Sequence, residues 1–432
     1  MASVPPWTIN LLRRSIDEVV KKVGEPETVE KVKAKATELL QELPQSAART
    51  LDSALKGVDD SKQAIERWFR LTAESPCRVL NTTGLLIHAG RCYLPLSDLV
   101  LDAGRDSLVG NVHWSIDERS FQENKIRASL ESINSQLDAI VTSHFSASAA
   151  FIGQIAQVNR VVTHRANAYS LEEGLSLPDW LHRGQSVHPE IDTSEVGVIN
   201  GPIEFTEDDV RDAIVVAASA DESVPQLPAP ELDCAARVAV LPVATLKHQW
   251  NGLASFERAF ELGFDAVVSR TDGLLGGPVG GIIASTSDAI GRLKQHPIFS
   301  IASAPAAQLA MTSVALDGPF PLSDAFDAGE ENLRSRAERL ATRLSTQSWV
   351  ETASVSDRPA RFVEGGCVEL PSRQVELRAG SDAIGSIASR LANADRDYSI
   401  WTDVDGETLR IDLRFLTPAQ DTIVAESIEG LA

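Results

Sequence analysis

Few side chains in this 432-residue chain stand in a pattern that could do chemistry. Residues 264–285 read FDAVVSRTDGLLGGPVGGIIAS, an apolar run, then Asp272 beside Gly273, then four glycines in two pairs before a second apolar run. The glycine-rich part, 274–281, lacks the Gly-Lys-Ser/Thr ending of a phosphate loop, so the spacing predicts a turn joining two strands. Lys247, in Thr245-Leu246-Lys247-His248, follows the apolar run 236–242. A lysine at a strand end can meet an aldehyde or an anion in the ligand crevice of an open α/β sheet, or lie solvated beside Trp250. Asp117-Glu118-Arg119 and Glu172-Glu173 have the composition of acid–base pairs, but adjacent charges of this kind read as solvated surface. Cys77, Cys92, Cys234 and Cys367 form no Cys-x-x-Cys pair, and the eight histidines show no metal-ligand spacing.

The elements that would position these residues follow from periodicity. Apolar runs at 78–80, 139–142, 160–163, 196–199, 213–217, 236–242 and 266–269 read as strands. They alternate with helix-like segments at 123–137, 146–157, 207–212 and 255–262, and a helix start at Ser287-Asp288 is stopped by Pro297. Such alternation predicts a largely parallel sheet wrapped by helices. Beyond about residue 316 the pattern changes to a long amphipathic helix at 323–346. Strands at 361–364, 367–370 and 374–378, a helix at 381–394, a strand at 408–416 and a helix after Pro418 complete a small α+β domain. Residues 1–75 read as four helices punctuated by Gly24, Pro26, Pro44 and Gly57. The expected organisation is therefore a helical module (1–75), a large α/β domain (76–320) and a small α+β domain (321–432).

Local motifs along nearly the whole chain resemble one family in collinear order. They are Asn81-Thr82-Thr83-Gly84-Leu85-Leu86-Ile87-His88 with Gly90-Arg91 and Pro95-Leu96-Ser97, then Leu274-Leu275-Gly276-Gly277-Pro278, then Leu293-Lys294-Gln295-His296-Pro297. Gly365-Gly366 with Glu369-Leu370-Pro371-Ser372, and Leu409-Arg410-Ile411-Asp412-Leu413-Arg414, close the series. The family is bacterial L-seryl-tRNA(Sec) selenium transferase, the selenocysteine synthase. The resemblance implies a fold type I, aspartate-aminotransferase-like large domain with a small α+β C-terminal domain and a helical N-terminal module. It also implies a homo-oligomer, a dimer or larger, and tRNA contact through the N-terminal helices.

The departures from that family fall where its chemistry sits. Its lysine, which carries pyridoxal phosphate as a Schiff base, corresponds to Gly273, and glycine has no amine. Its ring-pairing acid lies in a stretch that here reads VAVLPVATLK, residues 238–247, without Asp or Glu. Its Arg-x-x-Arg becomes Ser300-Ile301-Ala302-Ser303, exchanging two guanidiniums for hydroxyls. Its ring-packing segment becomes Thr142-Ser143-His144-Phe145-Ser146, in which His144 could stack on a ring. What remains is a vestigial pocket of His144, Asp272, Ser300 and Ser303, with Lys247 as replacement for the amine. The leading expectation is a selenocysteine-synthase-like protein without Schiff-base chemistry and with no cofactor, acting as a binding or partner subunit, for instance of a true synthase. A genuine pyridoxal-phosphate-dependent transferase or lyase using a replacement lysine is the alternative. An assembly protein whose cleft is filled by side chains is the third.

Bulk composition fits an ordinary folded protein, with 43% hydrophobic and 23% charged residues. No apolar run approaches the ~18–20 residues of a membrane span, so a cytoplasmic protein is expected. The net charge of −21 opposes non-specific nucleic-acid binding. Residues 1–70 differ, with 12 Lys and Arg against 11 Asp and Glu. Arg13, Arg14, Lys21, Lys22, Lys31, Lys33 and Lys35 would carry any RNA footprint, although Glu25, Glu27 and Glu30 interrupt it.

Overall fold

Parallel pairing of short apolar runs organises the central sheet. The computed structural model describes residues 78–87, 94–108, 116–172, 175–185, 195–200, 205–219, 223–226, 230–249, 252–318, 322–393 and 398–431. The expected N-terminal helices lie outside these residues. Sixteen strands are described: β1 (Arg78–Thr82), β2 (Leu137–Thr142), β3 (Arg160–His164), β4 (Ser170–Glu172), β5 (Leu175–Ser176), β6 (Glu195–Ile199), β7 (Ile214–Ala218) and β8 (Ala236–Leu241), followed by β9 (Ala266–Arg270), β10 (Gly281–Thr286), β11 (Thr352–Ser356), β12 (Ala360–Arg361), β13 (Glu369–Leu370), β14 (Gln374–Arg378), β15 (Tyr398–Asp405) and β16 (Thr408–Asp412).

The seven-stranded sheet has the order β2-β10-β9-β8-β7-β3-β6. Its pairs β9–β8, β8–β7, β7–β3 and β3–β6 are parallel, and β10 runs antiparallel to both β2 and β9. Period-two alternation sends Val216, Val238, Val240 and Val268 to one face and Ala217, Ala239, Leu241 and Val267 to the other. The first face packs on the helices Leu177–Gln185 and Ser287–Gln295, the second on Ile116–Glu131, Phe256–Glu261 and Ala306–Asp317. With both faces covered, the strands carry apolar residues almost continuously, as the sequence pattern implies.

The five-stranded sheet β1-β15-β16-β14-β11 is built on a separate core. Leu80, Val375, Leu377, Ile400, Leu409 and Ile411 face the helices Glu330–Leu344, Ser381–Ala392 and Pro418–Glu429. Its first strand comes from the opposite end of the described chain, and Thr82 Oγ1 donates to Trp401 O at 2.7 Å. A third apolar cluster joins loops of the central sheet (Val243, Leu253, Leu274) to Leu86, Phe362 and Leu370.

Several boundaries differ from expectation. The helix expected at 123–137 runs instead over Ile116–Glu131, because the polar turn 132–136 frees Leu137 to open β2. The helix expected at 146–157 is a short 3-10 turn, Phe145–Ser148, and one α-turn, Ala149–Ile152. The long helix expected at 323–346 is two, Ser323–Asp327 and Glu330–Leu344, because Ala328 and Gly329 take extended conformations. The strand expected at 361–364 is shorter, β12, paired with β13. No helix among the described residues is long and apolar enough to cross a membrane.

Candidate functional site

The pairing pattern decides which loops meet. Because β10 is antiparallel to both β2 and β9, those two strands point the same way. Their carboxyl ends, with that of β8, share one sheet edge with the start of β10. That edge is where open α/β sheets hold ligands. Three segments emerge there: 143–148 after β2, the connection from Pro242 after β8, and the 271–280 loop joining β9 to β10.

The 271–280 loop is held rigidly. Thr271 N donates to Gly280 O at 3.0 Å, Gly277 N to Thr271 O at 2.8 Å and Gly276 N to Gly273 O at 3.0 Å. Gly276 has φ of +71°, in the left-handed region glycine favours. Leu274 and Leu275 are both buried, one in the cluster with Phe362 and the other in the central-sheet core. Gln308, in the first turn of Ala306–Asp317, donates from Nε2 to the carbonyls of Thr142, Ser143 and Val279. One side chain thus fastens the β2 loop to the β9–β10 loop. The two approach so closely that a Cβ on Gly281 would lie 2.6 Å from Thr142 Oγ1 and 3.0 Å from Phe145 Cα. Gly281→Ala is therefore expected to destabilise the protein by about 1–3 kcal/mol or more through overpacking, read as a lowered urea midpoint.

The anticipated residues divide between these segments. Gly273 is buried, and its missing Cβ would face the carbonyl of Pro242 at 3.4 Å. Asp272 is buried and taken up by Arg270 in a bidentate pair, Nε to Oδ1 at 3.1 Å and Nη2 to Oδ2 at 2.9 Å. The guanidinium of Arg270 also sits 5.9 Å above the Phe145 ring, which stacks on Trp180 at 5.2 Å. His144 is exposed, and its Nδ1 accepts from Ser146 N at 3.3 Å, capping the 3-10 turn that follows β2. Ser303 bridges to Thr142, and Ser143 N donates to Ala302 O at 2.8 Å. His144, Ser303, Asp272 and Gly273 are thus gathered on linked segments. Ser300 is exposed one turn earlier, its hydroxyl donating to Pro297 O at 2.9 Å. Lys247 is exposed on the connection that begins at Pro242, five residues beyond the carbonyl facing Gly273.

Arg270 and Gln308 were missed in the sequence. Arg270 had a signal, since it stands two residues before Asp272 at a strand end, where side chains two apart face the same way. Gln308 had none, because its role depends on three carbonyls from distant segments.

The donor set can be compared with what a Schiff-base-held pyridoxal phosphate requires. Position 273 offers no amine, and β8 and its extension to Lys247 offer no carboxylate. Among the described residues, Lys294 pairs with Glu123 and Asp138, and Lys125 lies over the Phe121 ring. Lys247 is the remaining described lysine. The acid beside the loop, Asp272, already has a cationic partner. These residues do not fit a cofactor covalently held at position 273.

The doubly wound seven-stranded sheet, its antiparallel β10 and the second, smaller sheet define a fold type I pyridoxal-phosphate-dependent transferase architecture. The solved structure of D-glucosaminate-6-phosphate ammonia-lyase has this fold, with a TM-score of 0.56 and 12% identity over 84% of this chain and 97% of that one. No family model matches the chain. Among curated proteins, it is similar to several named L-seryl-tRNA(Sec) selenium transferase. It is 24% identical to the Geobacter sulfurreducens protein over 344 residues, 71% of this chain and 73% of that one. It is 29% identical to the Moorella thermoacetica protein over 191 residues, 41% of this chain and 40% of that one.

Proposed function

We propose that this selenocysteine-synthase-like protein does not carry out Schiff-base chemistry and acts as a binding or partner subunit, with a true synthase as its natural partner. The observation that carries the reading is the loop 271–281 itself. Its frame is stabilised by internal hydrogen bonds, buried leucines and Gln308, while the position from which an amine would reach the crevice is glycine. The Arg270–Asp272 pair supports it, because it closes a charge balance within the loop without any bound group. Homo-oligomers, a cytoplasmic setting and tRNA contact through residues 1–75 are parts of the same proposal.

The test is an absorbance titration of the purified protein with pyridoxal phosphate, followed by borohydride trapping and peptide mapping. No saturable Schiff-base band and no mapped adduct are expected. A stoichiometric adduct at Lys247, abolished by Lys247→Ala, would instead establish the second reading, a transferase or lyase with a relocated amine. That reading is favoured by one observation, the exposed position of Lys247 beyond the carboxyl end of β8.

A further inference from the structure

The end of β16 buries an acid that pairs with no side-chain cation among the described residues. Asp412 is 2% exposed, and its Oδ1 accepts from Ser372 Oγ at 2.8 Å and from Arg414 N at 2.7 Å. Oδ2 accepts from Gln374 Nε2 at 2.9 Å, while Oε1 of that same amide is buried without a partner among the described residues. Against this carboxylate lies Gly84, with φ of +79°. A Cβ there would stand 3.0 Å from Asp412 Oδ2 and 3.2 Å from Gln374 Nε2. Gly84 belongs to the strap 83–87 that leaves β1, and the strap is fastened by Arg361 N to Gly84 O, Leu86 N to Arg361 O and Ile87 N to Phe362 O, at 2.8–2.9 Å. On the other side, the guanidinium of Arg414 donates to Ala328 O at 2.7 Å and Phe326 O at 2.9 Å, where two helices break. Phe326 stacks on Phe362 at 5.7 Å.

We propose that the Asp412–Ser372–Gln374 cluster is a proton-operated latch that governs how tightly the strap 83–87 closes on the small sheet and the 326–328 break. In the ionised state the carboxylate accepts all three hydrogen bonds and leaves Gln374 Oε1 unpaired. Taking up a proton removes the buried charge. The amide of Gln374 can then turn over, so that the new Asp412 O–H donates to Oε1. No covalent bond changes, and the proton comes from solvent.

Burial is the main cause pushing the Asp412 carboxyl up to about 6, against hydrogen bonds from Arg414 N, Ser372 and Gln374 that lower it. The other charged groups facing the cluster are Arg414, Arg373 bound to Ser372 O and Glu330, Asp327, and the Arg361–Glu369 pair beside the strap. An acid whose folded value lies above its unfolded one near 3.8 is held protonated in the folded state through the window between them. Its contribution to stability is complete below the lower value and is lost as pH rises through about 6.

Urea unfolding and amide hydrogen exchange from pH 5 to pH 8, on wild type and Asp412→Asn, test the latch. Asparagine can fill the site permanently in the proton-bound pattern, and Glu330, Asp327 and Glu369 are present in both proteins. In the wild type, the amides of Leu86, Ile87 and Arg361, corrected for intrinsic exchange, should gain about tenfold protection at pH 5 over pH 8. In Asp412→Asn that difference should vanish. Ser372→Ala, which removes one donor to the carboxylate, should move the midpoint of the effect to higher pH. An Asp412→Asn profile that follows the wild type, or a Ser372→Ala midpoint that does not move, would overturn the proposal. The second variant decides the matter should the first not fold.

Discussion

Gly273→Lys, mixed with pyridoxal phosphate and reduced with borohydride, is expected to carry one covalent adduct per chain at residue 273, where the wild type carries none. Two observations argue that the position still admits the side chain. Gly273 is absent from the glycines with positive φ, so its backbone conformation is open to any L residue. The ideal Cβ meets only Pro242 O within 4 Å, at 3.4 Å, an ordinary contact. The substitution should therefore leave stability within about 1 kcal/mol of wild type, since a restricted unfolded chain partly offsets any local adjustment. Mass spectrometry of the reduced peptide reads the adduct directly, and urea unfolding confirms the fold. A folded variant without the adduct would mean that the space beyond Cβ is filled. That result would favour the reading of an assembly protein with an occluded cleft over that of a binding subunit with an open one.

Arg336→Ala is expected to cost about 3–5 kcal/mol of stability, because it breaks a buried ion pair in the small domain. Arg336 lies on Glu330–Leu344 and is only 4% exposed. Its Nε and Nη2 grip both oxygens of Asp421 at 2.7 Å, and Nη2 also donates to Leu416 O at 2.8 Å. Asp421 opens the last helix, Pro418–Glu429, where a carboxylate is favoured by the helix dipole. Truncating the arginine leaves that carboxylate and the Leu416 carbonyl without their charged donor. Denaturant unfolding measures the loss. The double variant Arg336→Ala/Asp421→Ala should be less unstable than the sum of its parts, because the second change removes the stranded acid. Additive losses would mean the pair contributes only packing.

The sequence foretold the buried parallel strands well because they are apolar on both faces, and β3, β7, β8 and β9 fall within a residue or two of expectation. Polar strands were harder. β11, Thr-Ala-Ser-Val-Ser, and β15 do alternate, but β11 offers only Ala353 and Val355 to the core, and the pairing of both depends on partners far along the chain. Helix ends failed where a single turn decided them, as at Ala328-Gly329. At the candidate site, the glycine at position 273 was legible in the sequence because a motif surrounds it. The Arg270–Asp272 pair needed strand geometry to be noticed. The Asp412 cluster was invisible, since Gly84, Ser372, Gln374 and Asp412 meet only after two distant parts of the chain have packed together.

The place of β1 at the edge of the small sheet has a consequence for synthesis on the ribosome. Thr82 and Trp401, which share a hydrogen bond, are 319 positions apart. At translation rates of about 5–20 residues per second, β1 waits roughly 16–64 s before β15 is made. For most of that interval, until Leu333 and the residues after it are made, Leu80, which ends buried in the small-domain core, has nothing to pack against there. The central sheet can form meanwhile, because all seven of its strands precede residue 287. The emerging chain therefore carries an unpaired strand on an otherwise assembled domain, a natural target for a holding chaperone until the C-terminal segment arrives.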